Sequence, residues 1–117
     1  MAIKVNVDNF VRAETDRMFA DLQAQTGCVN RLGHNREPAD VDNQAVIRLN
    51  RDTLYSFGVV DLSSGGSITV PEHGDRYVSV MLVNQDHLVE RIIHEPGTHD
   101  LTAEQLGSAY VFVAVRI

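Results

Sequence analysis

The densest run of hydrogen-bonding side chains is Asn50-Arg51-Asp52-Thr53-Leu54-Tyr55-Ser56, set between two apolar stretches. An amide, a carboxylate and two hydroxyls this close can cradle a small polar ligand. Asn50 and Asp52 would bond its polar atoms, Thr53 and Ser56 would offer hydroxyls, and Tyr55 would stack on it. The same residue types also lock turns. Asn and Asp side chains commonly bond backbone two residues on, and Thr and Ser do so more weakly. Arg48, Asn84 and His87 lie at the ends of other apolar stretches and complete the expected pocket. Arg48 is also placed to pair with Asp52 or Asp61.

Other reactive side chains carry weaker signals. The five histidines, His34, His73, His87, His94 and His99, show no HxH or HxxxH spacing of the kind a zinc site favours. His94 and His99 flank a Pro-Gly turn and could meet across a hairpin, with Glu95 or Asp100 nearby. No metal and no cofactor are expected. There is no G-x-S-x-G elbow for a serine nucleophile. Cys28 follows Gly27 at the expected end of a helix, where the dipole raises a thiol pKa, so it reads as a packing residue. Arg116 shares a strand face with Tyr110, Phe112 and Ala114. It is either a stem covering apolar surface or an anchor for a carboxylate.

Composition bounds these readings. The chain has 117 residues, 44% of them hydrophobic and 22% charged, which suits one globular domain spanning 1–117. Its formal charge of −6 disfavours nucleic acid. No apolar run is long enough to span a membrane, and no signal-peptide h-region opens the chain, so a soluble, cytoplasmic protein is expected. The one cysteine excludes a disulfide within the chain.

These residues must be positioned by one helix and a set of strands. The segment from about 8 to 26 lacks Pro and Gly, and Val11, Met18 and Leu22 fall near one face with Phe19 beside them and Thr15 between. An amphipathic helix is expected, capped by Asn6 or Asp8 and stopped by Gly27, with Asp8–Arg12 and Arg17–Asp21 pairs outside. The polar stretch 29–43 reads as an ordered loop. The region 45–117 reads as strands, at 45–50, 54–62, 67–70, 76–84, 88–93 and 109–117. Thr102 with Gln105 three residues on marks one helical turn at 102–106. The expected class is α+β and β-rich. It is an antiparallel sheet, sandwich or open barrel of about six to seven strands with the helix packed against it.

The run Asn50 to Leu62, NRDTLYSFGVVDL, follows NREP at 35–38, and RYVSVMLVNQDH spans Arg76 to His87. With the helical lead-in 8–22, these runs resemble the family known as domain of unknown function 1254, which is widespread in bacteria. The resemblance covers nearly the whole chain. It implies a longer architecture, in which a helical linker and a second β-rich domain, of unknown function 1214, usually follow. This chain would then be a short stand-alone form. Some relatives carry an esterase label, but the resemblance transfers no catalytic residue.

The leading expectation is a small-ligand-binding or interaction module acting as a homodimer. A last strand of Val, Tyr and Phe makes a poor exposed edge, so it must be central or be covered by a second copy. The alternatives are an esterase-like hydrolase using polar residues at strand ends, and a shortened relative that pairs with another polypeptide.

Overall fold

The computed structural model describes residues 3–27, 29–38, 40–42 and 50–117. The expected strand at 45–50, the contribution of Arg48 and the packing of Cys28 fall wholly or largely outside these residues.

The chain is α+β. Helix α1 (Phe10–Thr26) precedes β1 (Gly33–Asn35), β2 (Tyr55–Asp61), β3 (Gly66–Val70), β4 (Ser79–Asn84), β5 (Val89–Ile93), β6 (Gly97–Leu101), helix α2 (Ala103–Leu106) and β7 (Tyr110–Arg116). Five strands form one antiparallel sheet in the order β1-β2-β7-β4-β5, and β3 pairs with β6 in a second. The sheets do not close into a barrel.

Alternation in β7 explains why the sheets stack. Val111 and Val113 are fully buried on one face, beside Val80 and Leu82 of β4. Val70 of β3, Leu101 of β6 and Leu106 of α2 close the same cluster from the other side. Each such aliphatic side chain contributes about 1.5–3 kcal/mol on burial. Strand β7 is central, hydrogen-bonded to β2 on one side and β4 on the other. It therefore needs no second copy to cover it, and that reason for a homodimer lapses.

Helix α1 covers part of the opposite face. Phe19 is 3% exposed and packs on Phe112, ring centroids 6.3 Å apart. Val59 and Val83 flank Phe112 in the same cross-strand row and are also buried. The helix's buried line is Thr15, Phe19 and Thr26, not the expected Val11 stripe, for Val11 is exposed. Threonine is tolerated there because its hydroxyl is satisfied within the helix. Thr15 donates to Val11 O at 2.7 Å, and Thr26 to Leu22 O at 3.1 Å.

The helix starts at Asn9 rather than at Asn6 or Asp8, although Asn6 Oδ1 accepts from the N–H groups of Asp8 and Asn9. Gly27 ends it in the left-handed region, as expected. Arg12 pairs with Asp16 and, across the fold, with Asp86, rather than with Asp8, and Arg17 reaches Asp21 at 4.0 Å.

Two strands were not expected. The 29–43 stretch contains β1, added to the edge of β2. The segment after Pro96-Gly97 is β6, whose polar sequence Gly-Thr-His-Asp-Leu carries no alternation to betray it. The Thr102 turn is as expected, with its side chain accepting from Gln105 N at 3.1 Å.

Candidate functional site

Strand β2 decides where the Asn50–Ser56 groups go. Neighbouring strand residues face opposite sides of a sheet. Ser56 therefore turns to the inter-sheet side and Tyr55 to the side that carries α1. The expected single cradle becomes two separate environments.

The segment before β2 is mostly a turn lock. Asn50 Oδ1 accepts from Asp52 N at 2.7 Å, so the Asn50 side chain holds the backbone two residues on. Leu54 and Ile117 exchange both backbone hydrogen bonds at 3.0 Å, tying the segment to the end of β7. Thr53 Oγ1 is buried and has no hydrogen-bond partner among the described residues.

Asn84 and His87 lie at the far end of the sheet. Ser79 is registered with Arg116 and so with Tyr55, whereas Asn84 is registered with Val111. Five residues along β4 separate the two rows, about 17 Å at the usual strand rise. Asn84 is buried and organises the β4–β5 turn, accepting from the N–H groups of Asp86 and Leu88 at 3.0 Å each. His87 has a positive φ of 65° in that turn, and its Nδ1 lies 3.1 Å from Thr15 Oγ1 on α1. Neither comes near Ser56 or Tyr55.

The structure brings a different partner to Ser56. His34 in β1 is directly opposite it in the register, and His34 Nδ1 lies 2.7 Å from Ser56 Oγ. Ser56 is only 8% exposed, while His34 is open to solvent. If the serine hydroxyl donates to Nδ1, the ring's Nε2 carries a proton toward the outside.

This pair stands in a cavity of about 280 Å³ between the two sheets. Its walls are aliphatic, with Leu32, Ile68, Val70, Val80 and Val115 among them. A wider cavity of about 450 Å³ shares His34, Ser56 and Ile117 with it and adds Arg36. Together they make an apolar recess with a polar mouth. Arg36 has no carboxylate partner among the described residues.

Tyr55 is half-buried on the other face, where the Arg116 guanidinium lies 5.8 Å from its ring centroid. Both readings of Arg116 begin from this contact.

Backbone carbonyls hold the three remaining histidines. His73 bonds Arg76 O and His94 O, His94 Nδ1 bonds Val78 O, and His99 Nε2 bonds Glu95 O. His94 and His99 thus bond different backbone carbonyls rather than each other. Among the described residues no three His, Cys, Asp or Glu side chains converge to hold a metal ion. Two carboxylates are held below the usual range. Asp61 is lowered by the hydroxyl and then the N–H of Ser63, and Glu95 by its own N–H and that of His94. Neither lies at the Ser56–His34 mouth.

A family model described as protein of unknown function, DUF1254, matches residues 29–114. The chain belongs to this family. The DUF1254 match takes in β1 to β6, α2 and β7 as far as Ala114, and leaves α1 outside it. No curated protein and no solved structure matches the chain. No helix among the described residues is long and apolar enough to cross a membrane.

Sequence reasoning missed His34 as Ser56's neighbour. The two are 22 residues apart, and only the β1–β2 pairing joins them. The signal that could have found it was weak. It would have required reading Gly33-His34-Asn35 as a short edge strand inside a polar stretch.

Proposed function

We propose that this DUF1254 domain is a small-ligand-binding module whose site is the recess between the two sheets. The ligand is a short aliphatic carboxylate. Its chain fills the space lined by Ile68, Val80 and Val115, and its oxygens meet His34, Ser56 and Arg36. The observation that carries this reading is the 2.7 Å Ser56–His34 pair at the mouth of an otherwise aliphatic cavity. Ligand sites are commonly concave, mostly apolar and furnished with a few placed polar groups. Calorimetric titration with hexanoate tests it. Saturable binding is expected, weakened roughly tenfold by His34→Ala or Arg36→Ala, the usual effect of removing a charge-assisted hydrogen bond. Both side chains are exposed, so the fold should survive. Equal affinity in wild type and both variants would place hexanoate elsewhere.

The same 2.7 Å contact favours a second reading, an esterase-like hydrolase. Ser56 Oγ would attack an ester carbonyl while its proton passes to His34 Nδ1. The alcohol would leave with that proton, and water would then release the acid from the acyl-serine. Among the described residues no carboxylate bonds His34, so the third group of a triad is not supplied there. Turnover of p-nitrophenyl butyrate, lost in Ser56→Ala, would favour this reading. Hexanoate binding without turnover favours the module.

We infer further that the chain forms a homodimer through β5, an edge strand among the described residues, where Leu88, Val89 and Ile92 are each more than half exposed. Light scattering should then give twice 13.0 kDa. A mass of 13.0 kDa across the micromolar range would refute the dimer.

A further inference from the structure

Helix α1 covers only one end of its sheet face. The described residues leave the other end uncovered, and it holds a cavity of about 280 Å³ lined by Tyr55, Tyr77, Ser79, Met81, His94 and Arg116, with two further residues. It lies across the sheet from the inter-sheet recess, and none of its lining residues is shared with that recess.

We propose that this open end is a second ligand site, built for a planar aromatic carboxylate. Tyr55, Arg116 and Ser79 form one cross-strand row through β2, β7 and β4. Side chains directly opposite in such a row have Cβ atoms about 4.5–5.5 Å apart. Arg116 and Ser79 can therefore reach one anion together.

Ser79 carries the argument furthest. Its side chain belongs to a residue only 6% exposed, yet its hydroxyl has no hydrogen-bond partner among the described residues. The hydroxyl is not sealed in, as Thr53 Oγ1 is; it opens into the cavity that Ser79 lines, where a ligand oxygen can meet it. The Arg116 guanidinium is likewise without a carboxylate among the described residues, and it is held over the Tyr55 ring at 5.8 Å. The ring attracts the guanidinium from this distance, and the guanidinium N–H groups match a carboxylate in a fork.

The rest of the cavity selects the ligand's body. Met81 and Ala114 are paired in the next row and give an apolar floor. Tyr77 and His94 form a wall, ring centroids 5.9 Å apart and tilted by 58°. His94 is anchored through Nδ1 to Val78 O at 3.1 Å, so its ring is placed before any ligand arrives. Aromatic walls on two sides and an apolar floor suit a single ring better than an inorganic anion, which would need more donors. The volume is at the small end for ligand pockets.

Benzoate is the probe, with benzyl alcohol as its neutral counterpart and the full chain as the protein. In an NMR titration, benzoate should shift the His94 and Tyr77 ring signals saturably. Benzyl alcohol should bind roughly tenfold more weakly, because it lacks the charge Arg116 answers. Arg116→Gln keeps most of the stem and should reduce benzoate affinity about tenfold while leaving benzyl alcohol unchanged. Ser79→Ala should reduce benzoate affinity by a smaller factor. Saturating hexanoate should not displace benzoate from this face. The proposal is overturned if benzoate and benzyl alcohol bind wild-type protein equally, or if neither shifts these rings. The wild-type comparison decides the matter even if a variant fails to fold.

Discussion

Asn84 uses the full hydrogen-bonding capacity of its amide inside the fold. Its Oδ1 accepts from Asp86 N and Leu88 N, and its Nδ2 donates to Glu90 Oε1 and Leu106 O. That commitment leaves nothing for a ligand. Asn84→Ala should cost about 2–4 kcal/mol in urea unfolding, since each buried partner left unmet costs about 1–3 kcal/mol. A loss under 1 kcal/mol would mean that water replaces the amide. The contrast with Ser56 is instructive. Both were legible as polar residues on apolar strands, but only pairing across the sheet separates a turn organiser from a residue at a cavity mouth. His34 was visible only as one histidine among five, because nothing local ties it to position 56. Thr102, by comparison, was readable as a cap because its partner Gln105 is three residues away.

At the scale of elements, β2 is constrained by the chain that crosses it. A Cβ built on Gly58 would lie 2.5 Å from Arg31 O and 2.9 Å from Leu32 Cδ2. The backbone at 31–32 rests directly on β2, and this close approach leads into β1 and sets His34 opposite Ser56. Gly58→Ala should destabilise the fold by about 1–3 kcal/mol, as overpacking does. It should also weaken hexanoate binding, because β1 must shift. An unchanged melting temperature would contradict the crossing.

The β2–β3 turn carries a pH-dependent term. Asp61 accepts from the N–H and hydroxyl of Ser63, which lowers its pKa on folding. Its contribution is therefore present above the ordinary carboxylate range and fades as pH falls through the lowered value. Asp61→Ala should flatten the acid limb of the stability profile and leave the slope at neutral pH alone. An identical acid limb in both proteins would show that Ser63 does not hold the carboxylate. Strand β6 marks the limit of sequence reading at this scale. Only Leu101 of its five residues is buried, and pairing with β3, including a Thr69–Thr98 hydroxyl contact at 3.1 Å, makes it a strand.

For the whole molecule, the β-rich antiparallel class was legible from the short strands and their Gly and Pro turns. The order of the strands was not. A last strand rich in Val reads equally well as an edge in need of cover or as the centre of a sheet, and only long-range pairing of β7 with β2 and β4 distinguishes them. That central place also makes two faces of one sheet serve two environments. The aliphatic recess with Ser56 and His34 lies between the sheets, and the aromatic cavity with Tyr55 and Arg116 lies on the opposite face, at the end α1 does not cover.

The central claim is that the inter-sheet recess receives a short aliphatic carboxylate. The most direct measurement is an NMR titration of the full chain with hexanoate, following the His34 ring and the methyl groups of Ile68, Val80 and Val115. All four should shift together along one saturable curve, with the His94 ring unmoved. Shifts confined to the His94 side, or none at the three methyl groups, would contradict it.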